Sequence, residues 1–204
     1  MQNTLITGFT PFDGRETNAS WVAASSINRS HVSSLEIPVI WGEPLKTLSQ
    51  FCDNQCPQTI VSLGEGREGW FDIETLALNT RMERPDNTGN SPEGEPINAD
   101  GPLVRLASIS AGLLQRNLAA KGYPIRISKN AGQFLCEETL YVLEQLKQAY
   151  EPLQKVIFCH VPPFATTVHV KGKPAICNAT ILKQFANDLL DAVASIPDTE
   201  IPSG

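Results

Sequence analysis

The chain has 204 residues, 41% of them hydrophobic, and a formal net charge of −6 with only 16 Lys and Arg. That length and apolar content suit one domain with a substantial core. The lack of a basic cluster excludes nucleic acid as a main partner, and no apolar run approaches the ~20 residues of a membrane-spanning helix.

Residues 5–7 begin a strand that runs into the loop Gly8-Phe-Thr-Pro-Phe-Asp-Gly14. Asn18 or Ser20 then caps a short helix starting near Trp21. Residues 36–41 read as a strand, and residues 44–56 as a helix with Pro44 at its start. Residues 59–63 form a short apolar strand of the kind buried on both faces, and residues 70–79 a further extended run. Residues 81–102 are polar and carry Pro85, Pro92, Pro96 and Pro102. A stretch of that length is either a working loop or an assembly surface. Residues 103–120 read as a helix with Leu106, Ile109 and Leu113 on one face and Gly122 ending it. A strand over 125–127, a helix carrying Cys136, a strand over 155–159 and a last helix over about 175–193 complete the order, with fraying after Ile196. Alternating strands and helices predict an α/β fold: a single-domain, three-layer α/β/α sandwich around a mostly parallel or mixed sheet.

The five cysteines, at 52, 56, 136, 159 and 177, are an odd number in a chain too large to need disulfide staples. With no basic segment followed by a hydrophobic one at the start, they predict a reducing, cytoplasmic setting. Cys52 and Cys56 lack a second ligand pair for zinc, so no metal or other cofactor is expected. Cys136 differs from the rest. It follows the turn Lys129-Asn-Ala-Gly132 and opens an amphipathic helix with Leu140, Leu143 and Leu146 on its stripe. In a first helical turn, the macrodipole and unpaired N–H groups favour thiolate, the reactive form. His160 sits where an apolar strand ends, a usual place for chemistry in open α/β folds. Glu74 lies inside an otherwise apolar run. Cysteine, histidine and carboxylate from three elements match nucleophile, base and orienter. Asp72 is a rival carboxylate on the same strand face, and His169 is a second candidate histidine. Cys159 and Cys177 read as small core hydrophobes.

With those residues in view, the chain resembles the pyroglutamyl peptidase I (pyrrolidone-carboxylate peptidase) family. Thr7-Gly-Phe-Thr-Pro-Phe-Asp-Gly14 with Asn18-Ala-Ser20 is similar to its Gly-Phe-x-Pro-Phe-x-Gly and Asn-x-Ser signature. Pro85-Asp-Asn-Thr-Gly-Asn90, Asn130-Ala-Gly-x-x-Leu-Cys136 and His160-Val-Pro162 are similar to its other motifs, in the same order. The resemblance implies an α/β/α cysteine peptidase, cytoplasmic and often tetrameric, so a homo-oligomer. It needs no metal and removes pyroglutamate from peptide N-termini. It further implies Cys136 as nucleophile, His160 as acid/base and Glu74 as its partner. Phe9, Phe12, Asn18 and Arg84 would bind substrate, with Arg81 the alternative to Arg84.

The chain also departs from the family pattern. It has Gly64-Glu-Gly-Arg67 where the family shows a Gly-Gln-Ala-Gly-Gly-Arg run. Glu137 and Glu138 follow the cysteine where Asn is common, and their charges oppose thiolate formation. A hydrolase of another small amide, or a non-catalytic binder of blocked N-termini, are the other readings.

Overall fold

The computed structural model describes residues 3–197. Six strands form the central sheet: β1 (Thr4–Phe9), β2 (Val32–Ile37), β3 (Thr59–Glu65), β4 (Phe71–Glu74), β7 (Ile125–Ser128) and β8 (Lys155–Val161). Their spatial order is β2-β1-β3-β8-β4-β7. The strands β2, β1, β3 and β8 run parallel, β4 opposes β8, and β7 runs parallel to β4, so the sheet is mixed. Two small antiparallel ribbons lie outside it: β5 (Leu76–Leu78) with β6 (Val104–Leu106), and β9 (Thr167–Val170) with β10 (Lys173–Ile176).

Helices cover both faces. On one, α1 (Ala19–Ser25), α3 (Ala111–Ala120) and α5 (Ala179–Ala194) pack Ala23, Leu114, Leu118 and Phe185 against Ile6, Val61, Ile73, Ile157 and Cys159. On the other, α2 (Glu43–Gln55) and α4 (Leu135–Ala149) pack Leu48, Leu140 and Leu143 against Leu5, Ile60, Val156 and Phe158. Successive strand residues point to opposite faces, so each strand feeds both cores. This is the three-layer α/β sandwich expected. No helix among the described residues is long and apolar enough to cross a membrane.

Several elements differ from the sequence expectation. Only residues 111–120 of the 103–120 segment are helical. The Ala107 N–H bonds to the Thr75 carbonyl and the Ser108 N–H to Glu144 Oε1, so these donors leave the helical i−4 pattern. Leu106, which looked like part of a helix face, is 68% exposed, and Leu103 is 82% exposed. The last helix starts at Ala179, where Asn178 Oδ1 accepts from the Ile181 N–H. The preceding residues form the β9–β10 hairpin, and exposed His169 lies in it. The strand expected over 36–41 ends at Ile37; beyond it the Val39 and Trp41 N–H groups bond Thr10 Oγ1 and Asp86 Oδ2. The extended run over 70–79 is broken at Thr75 into β4 and β5. The fraying expected after Ile196 falls mostly outside the described residues.

Candidate active site

Cross-strand register lays out the site. Gly64 of β3 pairs with His160 of β8, His160 with Asp72 of β4, and Asp72 with Arg126 of β7, which makes one row across four strands. Cys159 and Val161 face the α1/α3/α5 core, as do Phe71 and Ile73. Alternation therefore turns His160, Asp72 and Glu74 toward the α4 face, where Cys136 stands in the first turn of α4. His160 is inside β8, one residue short of its end, rather than after it.

His160 Nδ1 lies 2.8 Å from Glu74 Oε1, and both side chains are buried. Burial alone would lower the imidazole pKa. The influence of the neighbouring Cys136 sulfur outweighs that, Glu74 adds to it, and the pKa is pushed up to about 10. With Nδ1 committed to Glu74, the other ring nitrogen is the one left for the thiol. An imidazolium–thiolate pair held by a carboxylate is the arrangement that activates a cysteine at neutral pH. The other thiols differ. Cys52, Cys159 and Cys177 are buried. Burial pushes Cys52 up to about 11, Cys177 to about 12, and Cys159 further still.

Asp72 has a separate job. Its oxygens accept from Arg126 Nε and Nη2 at 2.8 and 2.9 Å, with Arg67 Nε at 3.4 Å.

A cavity of about 250 Å³ opens beside Cys136 and His160, walled by Phe9, Phe12, Val39, Phe134 and Leu135 with polar contributions from Glu65 and Arg84. Phe9 is the last residue of β1 and 2% exposed, rather than a loop aromatic. Its N–H bonds Ser20 Oγ at 3.0 Å. Phe12 is half-buried, and the Arg15 and Arg84 guanidinium groups lie 5.2 and 5.7 Å from its ring centre. Asn18 lines the cavity, but its amide is already engaged. Oδ1 accepts from the Ser20 N–H and hydroxyl, and Nδ2 donates to the Thr10 carbonyl, which ties the Phe9–Phe12 loop to α1. Of the two candidate arginines, Arg84 faces the cavity, 4.3 Å above Phe134 and 2.5 Å from Asp13. Arg81 instead binds buried Glu138 at 3.0 Å.

Sequence reasoning missed Phe134 and Glu65, and it read Glu137 only as a charge beside the thiol. Phe134 precedes the cysteine by two positions, which was the signal available. Glu65, from the divergent 64–67 segment, has a side chain only 3% exposed; it accepts from the Ala19 N–H at 2.9 Å and pairs with Arg15. Glu137 accepts from Leu78 N–H at 2.5 Å and Gln133 N–H at 3.1 Å. It thereby clamps the cysteine turn to β5, with Gln133 held at φ 56°. Glu138 accepts from Gly42 N–H at 3.0 Å as well as from Arg81. Arg81 sets a positive charge against Glu138, and burial raises the Glu137 pKa against the pull of its two backbone donors, so both lessen the opposition expected from these charges.

Gly64 is required by closeness rather than by backbone angle. A Cβ there would lie 2.8 Å from Phe158 Cζ, 2.9 Å from Cys136 Sγ and 3.0 Å from His160 Cδ2. Displacing reacting groups by an ångström can cost about a hundredfold. Gly64→Ala is therefore expected to lower kcat of any thiol chemistry here by about that factor, with the fold retained by circular dichroism. Unchanged kcat would show that thiol and ring have room to spare.

Comparison with known proteins agrees with this geometry. The family profile described as pyroglutamyl peptidase matches residues 2–194. A pyrrolidone-carboxylate peptidase of Streptomyces coelicolor is 32% identical over 205 aligned residues, covering 97% of this chain and 94% of that protein. One from Bacillus mycoides is 27% identical, covering 90% and 89%. The crystal structure of Bacillus amyloliquefaciens pyroglutamyl peptidase I superposes with a TM-score of 0.85 at 25% identity, covering 98% of this chain and 100% of that one. A mutant pyrrolidone carboxyl peptidase of Pyrococcus furiosus gives 0.82 at 21% identity, covering 96% and 100%, and bears on the fold alone. With the profile spanning all but the ends and the relatives aligned almost throughout, the chain belongs to the pyroglutamyl peptidase family.

Proposed function

We propose that the protein hydrolyses the amide bond after an N-terminal pyroglutamyl residue, with Cys136 as nucleophile, His160 as acid/base and Glu74 as the residue that holds His160. The observation that carries this reading is the 2.8 Å Glu74–His160 contact with the Cys136 sulfur beside the same ring, at the wall of a small, partly aromatic cavity. Family membership and the names of the relatives support the substrate class.

The lactam ring is flat and uncharged and has no free amino group, so it suits an apolar slot with a few hydrogen bonds. Phe9, Phe12 and Phe134 supply such walls. Cys136 sulfur attacks the acyl carbon, and the carbonyl electrons move onto oxygen. First-turn N–H groups of a helix have no intrahelical acceptor, so those of Leu135 and Cys136 are available to stabilise the oxyanion. As the C–N bond breaks, His160 gives its proton to the leaving amine, and a thioester remains. His160 then takes a proton from water, whose oxygen attacks the thioester and releases pyroglutamate with return of the thiolate. The unpaired thiols suit a reducing, cytoplasmic setting.

The direct test is hydrolysis of a pyroglutamyl coumarylamide with and without iodoacetamide pretreatment. Turnover that alkylation abolishes supports the reading. A folded, reduced protein that does not turn the amide over refutes it. Phe12→Ala is expected to raise KM by about tenfold with little change in kcat, since one aromatic wall contributes on the order of 1 kcal/mol. An unchanged KM would remove Phe12 from the ring-binding slot.

A further inference from the structure

The row Gly64–His160–Asp72–Arg126 has two unlike ends. Toward β1 lies the aromatic cavity; beyond His160 lie Asp72 on β4 and Arg126 on β7, with Arg67 from the β3–β4 connection. If the acyl group occupies the aromatic end, the leaving peptide departs past His160 toward the other. There a second cavity of about 170 Å³ is lined by Arg67, Asp72, Arg126, Ile127 and Ser128, and it shares Arg67 and Asp72 with the first.

Its charge is unbalanced. A single buried carboxylate, Asp72, faces two guanidinium groups, so one positive charge is left over in a chain whose net charge is −6. Asp72 uses its bidentate geometry on Arg126, and Arg67 approaches it with Nε at 3.4 Å. The Arg67 side chain is 60% exposed. Among the described residues no protein acceptor takes a hydrogen bond from its terminal N–H groups, and Arg67 lines both cavities. Arg126 is braced from the far side by Trp70, with the guanidinium carbon 4.6 Å from the ring. A guanidinium with free parallel N–H groups beside a second one is a carboxylate receptor. Strands lie about 4.8 Å apart, so a group on Asp72 is one strand from His160. That is within side-chain reach of the first residue after the scissile bond.

We propose that Arg67 and Arg126 form a subsite for a carboxylate on the first residue of the leaving peptide, either an acidic side chain or the α-carboxylate of a pyroglutamyl dipeptide. The proposal rests on the pyroglutamyl-peptidase reading above. It makes the enzyme selective for charge at a position that the aromatic slot does not touch.

The test compares kcat/KM for pGlu-Ala-NH2, pGlu-Glu-NH2, pGlu-Ala with a free carboxylate, and pGlu-Lys-NH2, alongside the coumarylamide. At low ionic strength the Glu peptide is expected to exceed the Lys peptide by about tenfold, with the neutral amide between them. The spread should shrink toward one in 0.5 M salt, where the Debye length falls below about 5 Å. Preference for pGlu-Ala over its amide would assign the subsite to an α-carboxylate; preference confined to pGlu-Glu-NH2 would assign it to the side chain. Arg67→Gln should bring the Glu/Lys ratio to within about twofold, and this ratio is internally normalised against any general loss of activity. Glu and Lys peptides cleaved at equal rates at low salt, with no preference for pGlu-Ala over its amide, by an enzyme that hydrolyses the coumarylamide normally, would overturn the subsite alone. Failure on the coumarylamide as well would overturn the underlying reading, and the proposal with it.

Discussion

Replacing Cys136 with Ala is expected to reduce hydrolysis of pyroglutamyl amides to background and, in the same protein, to lower the pKa of His160. Loss of the nucleophile in a Cys/His or Ser/His pair costs about five orders of magnitude or more in kcat. The second effect follows from the causes of the raised imidazole pKa. Burial lowers it; the neighbouring Cys136 sulfur raises it, and Glu74 raises it further. Without the sulfur, burial is opposed by Glu74 alone, so the ring gives up its proton at lower pH than the value of about 10 in the intact pair. Titration of the His160 ring protons by NMR in both proteins reads this directly and needs no substrate. Residual turnover well above background would move the nucleophile elsewhere. The buried thiols are poor substitutes, since burial pushes Cys52, Cys159 and Cys177 up, away from thiolate. An unchanged His160 titration would mean that the thiol and the ring do not form a pair.

How much of this was legible in the sequence differed by element. The strands β3 and β8 are continuous apolar runs between turn signals, and α2 and α4 carry helical stripes with start signals, so local pattern and tertiary packing agree. Residues 103–110 carried the wrong message. Leu106, Ile109 and Leu113 repeat at helical spacing, yet Thr75 and Glu144 capture the backbone donors of Ala107 and Ser108. Such partners are far away in sequence and invisible to periodicity. The β9–β10 hairpin failed for a related reason: Pro174, Ala175 and Ile176 look like the lead-in to an apolar helix, and only pairing with residues 167–170 makes them a strand. At the site, residue types and order were readable because motifs carried them. The choice of Glu74 over Asp72 rested on the motif resemblance alone, because the residue pattern did not separate them. Both lie on one strand face, and register with Arg126, a property of the folded sheet, commits Asp72 to a guanidinium and leaves Glu74 to the histidine. Likewise, nothing local says that Glu137 and Glu138 are matched by Leu78, Gln133, Gly42 and Arg81.

That choice between carboxylates sets up the second large effect. Glu74→Gln is expected to lower kcat by about three orders of magnitude or more with KM little changed, as when a histidine-orienting carboxylate becomes an amide. The geometry gives the reason. Glu74 Oε1 takes the Nδ1 proton of His160 at 2.8 Å, while Oε2 is buried with no hydrogen-bond partner among the described residues. An amide has one accepting oxygen and one donating nitrogen. If the oxygen stays on His160, the nitrogen occupies the unpartnered position and its protons go unsatisfied, at a cost of about 1–3 kcal/mol. If the amide flips, it donates to Nδ1 and forces the ring into the opposite tautomer, which presents a proton to the thiol instead of accepting one. Either way the negative charge behind the ring is gone. Because the Glu74 charge and hydrogen bond raise the His160 pKa, their loss lowers it. The leaving amine needs a protonated His160, whose proton is lost as pH rises through its pKa, so the alkaline limb of the kcat/KM profile should move to lower pH in Glu74→Gln. A merely structural defect would scale the profile down without shifting it. Asp72→Asn is the control: Asp72 bonds Arg126 and Arg67 rather than the histidine, so its alkaline limb should stay where it is in the unaltered protein. A shifted limb in Asp72→Asn and an unshifted one in Glu74→Gln would exchange the two roles and return the orienting carboxylate to Asp72.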